Sequence, residues 1–112
     1  MSRRSDTYAW IAQRASAVVL ALCVAVHLVT IVYAVRGGLT AAEIFARTKG
    51  NAAGFFFYSV FVLAVAVHAP LGLRPVLTEW LGWRGRSRDV FAVLFAVLLL
   101  AAGLRAVLNV FR

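Results

Sequence analysis

The sequence has 112 residues, of which 63% are hydrophobic and 14% charged, and its net charge is +8. A soluble domain of this length would need far more polar surface. In a soluble protein this charge would suggest nucleic-acid binding, but here the arginines flank long apolar segments, as positive-inside flanks and headgroup contacts do. The composition therefore favours an integral membrane protein, and nucleic acid is not an expected partner.

Three apolar segments are long enough to be membrane spans. Residues 15–35 and 52–73 carry no charged side chain, and about 20 apolar residues cross a bilayer as a helix. The third, 90–104, extends to residue 111 if Arg105 reaches towards the interface. We predict an all-α protein with three transmembrane helices at about 8–35, 52–80 and 90–111, in one domain spanning 1–112 and forming part of a multi-subunit helix bundle. A short interfacial helix over 40–47 is predicted between the first two.

The basic residues predict the orientation of the chain. Seven lie at the N-terminal side of the predicted spans and five at the other side. Because cytoplasmic flanks carry the excess of Lys and Arg, we predict a cytoplasmic N-terminus. The seven are Arg3, Arg4, Arg14, Arg74, Arg84, Arg86 and Arg88, and the five are Arg36, Arg47, Lys49, Arg105 and Arg112.

Two histidines stand out, because each lies inside a charge-free segment. His27 lies in the first and His68 in the second. An ionisable residue within a membrane span is costly and points to function by default. We interpret both as candidate axial ligands of haem iron. The alternative is that each only forms a hydrogen bond to a neighbouring helix.

Helical periodicity places His27 on a polar face of the first helix. Gln13, Ser16 and Cys23 fall on the same face as His27, because they precede it by 14, 11 and 4 residues, each close to a whole number of helical turns. This face should contact another helix, a cofactor or a water-filled site. Around His68, small residues including Gly72 would allow a flat macrocycle to approach the backbone.

The two histidines are predicted at different depths. If Arg14 and Arg74 mark one membrane edge, the imidazoles are offset by about 10 Å along the normal, at 1.5 Å per helical residue. Two axial ligands of one iron face each other about 4 Å apart, given metal–nitrogen bonds near 2 Å. The spacing therefore favours two haems over one shared haem.

Two short motifs resemble those of a known family. Residues 13–17, QRASA, resemble the His-Arg-x-Ser-Gly motif of the cytochrome b membrane-anchor subunit of succinate dehydrogenase and fumarate reductase. Residues 68–74, HAPLGLR, followed by Glu79, resemble that family's His-x-x-x-Gly-x-Arg-His motif with its downstream acidic residue. Gln13, Ala17 and Pro75 depart from the family pattern.

The resemblance implies roles for several residues. His68 looks like the haem b ligand, with Gly72 beside the cofactor and Arg74 near the haem propionates. Gln13, Arg14 and Ser16 correspond to the quinone pocket, whereas His27 is similar to the additional haem ligand of two-haem members of the wider group.

The resemblance also implies an assembly. A flavoprotein subunit and an iron–sulfur subunit would dock on this anchor in the bacterial inner membrane. A second membrane-anchor subunit would share one or two haems b with it. The complex would link the tricarboxylic acid cycle to the respiratory chain by exchanging electrons with quinone. The chain itself shows no dicarboxylate active site and no catalytic residue. Two alternatives are a small b-type cytochrome of another respiratory complex and a haem-free structural membrane subunit.

Overall fold

The computed structural model describes residues 3–112, which form four helices. They are α1 (Arg3–Arg36), α2 (Ala41–Thr48), α3 (Ala52–Leu81) and α4 (Arg86–Phe111). Helices α1, α3 and α4 are long and apolar enough to cross a membrane. The predicted all-α fold with three long apolar helices is confirmed.

The helices extend beyond their apolar segments at several ends. α1 is already helical at Arg3, whereas its predicted start was near residue 8, and α4 begins at Arg86 instead of residue 90. The arginine and serine residues in these flanks are compatible with helix. Hydrophobicity therefore locates the membrane span, but it does not locate the end of the helix.

Helix α2 follows a turn in which Gly38 adopts a positive φ of 65°. Thr40 caps α2 by accepting a hydrogen bond from the backbone N–H of Glu43 at 3.2 Å. The end of α2 and the residues after it then form hydrogen bonds with the C-terminal end of α4. Thr48 Oγ1 donates to the carbonyl of Val110 at 3.0 Å, and Gly50 N donates to the carbonyl of Phe111 at 2.8 Å. Two of the carbonyls that a helix end leaves unpaired are thus satisfied.

The α3–α4 turn is short and held by polar contacts. Gly82 ends α3 in the left-handed conformation, with φ 65°. Thr78 Oγ1 donates to the carbonyl of Trp83 at 2.8 Å and accepts from Arg88 Nη1 at 2.7 Å. Since Arg74 Nε of α3 also lies 3.2 Å from Asp89 Oδ1 of α4, the first turn of α4 is tied to the last turns of α3.

Helix α3 packs against both α1 and α4. Its contact with α4 is close, because Gly103 of α4 lies directly against Val62 of α3. The buried residues are mostly small, and they include Ser16, Cys23, Ala64, Ala66 and Ala92. Small residues at helix contacts, with large apolar side chains exposed outside, are the packing pattern of membrane proteins.

Candidate functional site

The polar face of α1 lies against α3. Ser16 is 7% exposed and Cys23 4% exposed, and they are the two buried residues of α1. His27 and Gln13 are half-buried on the same face. The rest of this helix is largely exposed, so these polar groups mark the side on which α1 meets its neighbour.

His68 lies opposite Ser16. Its Nδ1 atom is 3.4 Å from Ser16 Oγ, and Ser16 Oγ donates to the backbone carbonyl of Gln13 at 3.0 Å. One turn further along α3, Gly72 faces the side chain of Gln13, and a Cβ atom on Gly72 would lie 3.1 Å from Gln13 Nε2. These four residues form one group, here called the His68 cluster.

His27 lies in a second group, here called the His27 cluster. Its Nδ1 atom is 2.8 Å from the hydroxyl of Tyr58 on α3, and its ring packs edge-on against Phe61. Tyr58 in turn stacks on Phe111 of α4, with ring centroids 5.4 Å apart. Tyr58 was not predicted as a site residue, although a tyrosine within an apolar span is itself a polar group that needs a partner.

The two clusters lie at different levels of the helix pair. His27 is eleven residues from Ser16 along α1, and Tyr58 is ten residues from His68 along α3. At 1.5 Å per residue both paths correspond to a separation of about 15 Å. This exceeds the predicted offset of about 10 Å, because Ser16, which is close to Arg14 in α1, lies opposite His68, whereas alignment of Arg14 with Arg74 would place a residue near position 20 there.

The chain matches the family model of the succinate dehydrogenase/fumarate reductase transmembrane subunit over residues 1–104. The chain belongs to this family. The predicted family resemblance is thereby confirmed, whereas membership of its two-haem branch stays a prediction. Searches of curated proteins and of solved structures found no match.

In this transmembrane subunit, the residues predicted to form a quinone pocket do not all meet. Gln13 and Ser16 share the His68 cluster. Arg14 is exposed, with its guanidinium 5.4 Å from the ring centroid of Trp10. It projects about 160° away from Ser16 around α1, at 100° per residue. Arg14 and Ser16 therefore face different sides of the helix.

Arg74, predicted near haem propionates, contacts α4. Its Nε atom is 3.2 Å from Asp89 Oδ1, the carboxylate oxygen that also contacts Arg88. The Arg74 side chain is 18% exposed and that of Asp89 39%. Arg74, Arg88 and Asp89 together carry two positive charges and one negative charge, so a net positive charge remains near the turn that follows α3.

The donor chemistry of the histidines fits a haem ligand. Both imidazoles form their interhelical contact through Nδ1, and in this arrangement Nε2 is the atom that a metal can take. Among residues 3–112 there is no group of three or more His, Cys, Asp or Glu side chains placed to hold a bare ion. Gly72 lies one turn from His68, and the side chain of Gln13 occupies the space against its Cα.

Proposed function

We propose that the subunit is the haem b-binding membrane anchor of a succinate:quinone oxidoreductase, acting as succinate dehydrogenase or fumarate reductase. It would anchor the flavoprotein and iron–sulfur subunits and carry electrons to or from quinone. Family membership over residues 1–104 supports the complex. The observation that carries the haem assignment is His68, inside an apolar span, with its Nδ1 directed at a buried serine.

His68 is the proposed axial ligand of haem b. The haem, when bound, supplies one-electron transfer in a low-dielectric site. The protein's part is to orient the imidazole through Ser16, and a macrocycle beside Gly72 would take the space that the Gln13 side chain occupies. Arg74 can offer positive charge to a propionate, because Asp89 neutralises only one of its two arginine partners.

Gln13 and Ser16 are the proposed quinone-binding residues. Gln13 Oε1 is buried and has no hydrogen-bond partner within residues 3–112. A buried carbonyl oxygen without a partner is costly, and a quinol hydroxyl would satisfy it by donating a hydrogen bond. Arg14 faces another side of α1, so it can take part only where a partner subunit closes the pocket on that side.

We further propose that His27 ligates a second haem b. The separation of about 15 Å between the clusters is too large for two axial ligands of one iron. Each haem would then take its opposite ligand from a second membrane-anchor subunit. The proposed setting is the bacterial inner membrane, with the N-terminus of the anchor in the cytoplasm and residues 1–112 acting as one domain.

A haem-free structural subunit is the second candidate. It is favoured by one observation, which is that both histidines already have interhelical partners, Ser16 and Tyr58. Such contacts alone can account for a histidine in a membrane helix. The two candidates differ in whether Nε2 of either imidazole binds iron, which a spectrum measures directly.

The test is a reduced-minus-oxidised spectrum of the complex purified from membranes. We expect a b-type band, and His68→Ala and His27→Ala should each remove one spectrally distinct haem. Cys23→Ala is the matched control, because Cys23 is buried on the same face of α1 between the two levels. A wild-type complex without a b-type band would favour the haem-free subunit, and full haem content in His27→Ala would make His27 structural.

A further inference from the structure

The geometry points to Ser16 as a positioning residue that holds His68 as its Nδ1–H tautomer, so that Nε2 carries the lone pair. That Nε2 then binds haem iron rests on the proposed function. The tautomer itself follows from contacts within this chain, because the Ser16 hydroxyl has a single proton to donate.

A serine hydroxyl has one proton to donate and two lone pairs that can accept. Ser16 Oγ uses its proton on the backbone carbonyl of Gln13, three residues earlier in α1, at 3.0 Å. Towards His68 it can therefore act only as an acceptor. We infer that the proton stays on the shorter contact, so the Nδ1 atom of His68, 3.4 Å away, is the donor. A neutral imidazole with a proton on Nδ1 has none on Nε2.

Burial of Ser16 makes the loss of this hydrogen bond costly. Ser16 is 7% exposed, and the residues around it in the sequence of α1 are mainly Ala, Val and Leu. An imidazole N–H that lost its acceptor here would be left unpaired, which is costly in an apolar environment. The tautomer with the proton on Nδ1 is therefore favoured only while the serine hydroxyl is present.

The His27 cluster lacks this constraint. The Tyr58 hydroxyl lies 2.8 Å from His27 Nδ1, and within residues 3–112 it forms no other hydrogen bond. The phenol can donate to Nδ1 or accept from it, so either tautomer of His27 is compatible with the contact. Ser16 is thus the hydroxyl whose second hydrogen bond selects a tautomer.

A hydrogen bond to the outer nitrogen of a ligating histidine makes the imidazole a stronger electron donor. A stronger donor stabilises ferric relative to ferrous haem and so lowers the midpoint potential. Removing the Ser16 hydroxyl should therefore move the midpoint potential of the His68 haem to a more positive value. Removal of a hydroxyl that does not face a histidine should leave it unchanged.

The first experiment measures the tautomer directly. The full chain carries two histidines, so His27→Gln leaves His68 as the sole source of imidazole signals. With ¹⁵N-histidine labelling in lipid bilayers, we expect the spectrum of the haem-free chain to show a protonated Nδ1 and an unprotonated Nε2. Ser16→Ala should produce a mixture of tautomers. A dominant Nε2–H form with Ser16 in place would overturn the proposal, whether or not the complex contains haem.

The second experiment is a redox titration of haem in the purified complex. Ser16→Ala should shift the midpoint potential upwards, while Ser16→Thr, which keeps a hydroxyl, should stay near the wild-type value. Ser59→Ala is the matched control, because the Ser59 hydroxyl donates to its own helix at the carbonyl of Phe55. An unchanged potential in Ser16→Ala would overturn the proposal. So would equal effects of Ala and Thr, because they would assign Ser16 to helix packing.

Discussion

The contact between Gly103 and Val62 makes a sharp test of the α3–α4 packing. A Cβ atom on Gly103 would lie 2.5 Å from Val62 Cγ1, 2.9 Å from Cγ2 and 3.3 Å from Cβ. Carbon atoms pack best at about 3.5–4.0 Å, so Gly103→Ala requires one helix to move by about 1 Å. Rotation of Val62 offers little relief, because a valine in a helix has one strongly preferred rotamer.

Two effects of opposite sign determine the expected result. Alanine is a better helix former than glycine by about 1 kcal/mol. Overpacking of a close contact costs about 1–3 kcal/mol, and three overlapping valine atoms place this site near the upper end. We expect Gly103→Ala to lower the free energy of unfolding by about 2 kcal/mol.

Unfolding of the purified complex in mixed micelles, titrated with a denaturing detergent, measures this difference. Ala102→Gly on an exposed position of the same helix isolates the helix-propensity contribution. Val62→Ala removes both methyl groups that would overlap, so the double variant should be less destabilised than the sum of the singles by about 1–2 kcal/mol. A Gly103→Ala protein as stable as wild type, or strictly additive effects, would refute the packing described for α3 and α4.

Three further changes test other contacts. Tyr58→Phe leaves Nδ1 of His27 without its partner and should cost about 1–2 kcal/mol in the same unfolding assay; an unchanged stability would contradict the contact. Gly72→Ala should displace the Gln13 amide, lowering quinone reductase activity several-fold while succinate oxidation by an artificial acceptor continues; a parallel fall of both activities would point to misfolding. Asp89→Asn should destabilise by at most about 1 kcal/mol, since partly exposed ion pairs are weak, and an equal effect at high salt would argue against an ionic contact.

Much of the fold could be predicted from charge-free segments. Residues 15–35 and 52–73 have the length and composition of spans, so three long helices follow from the cost of placing charges and open backbone in lipid. The start of α4 could not be predicted in this way, because residues 86–89 are polar and still helical. The Asp89–Arg74 contact depends on that extra turn, and it was missed for the same reason.

The candidate site, too, could be predicted only in part from the sequence. The periodicity of α1 predicts which residues share a face, and the buried Ser16 and Cys23 lie on that face. The partners on α3 depend on the register between two helices, which neither helix specifies alone. The pairing of His68 with Ser16 and of His27 with Tyr58 is therefore a result of packing. Arg14 was assigned to the pocket by motif position, although its place on the helix already sets it apart from Ser16.

The central position of α3 has a consequence for biogenesis. α1 is synthesised first, and its polar face finds its partners Tyr58 and His68 only on α3. Until α3 enters the bilayer, the imidazole of His27 faces lipid or the translocation machinery without the tyrosine that will pair with it. This interval lasts until residues 52–81 have been synthesised and inserted. A delay in translation over residues 37–81 would lengthen it.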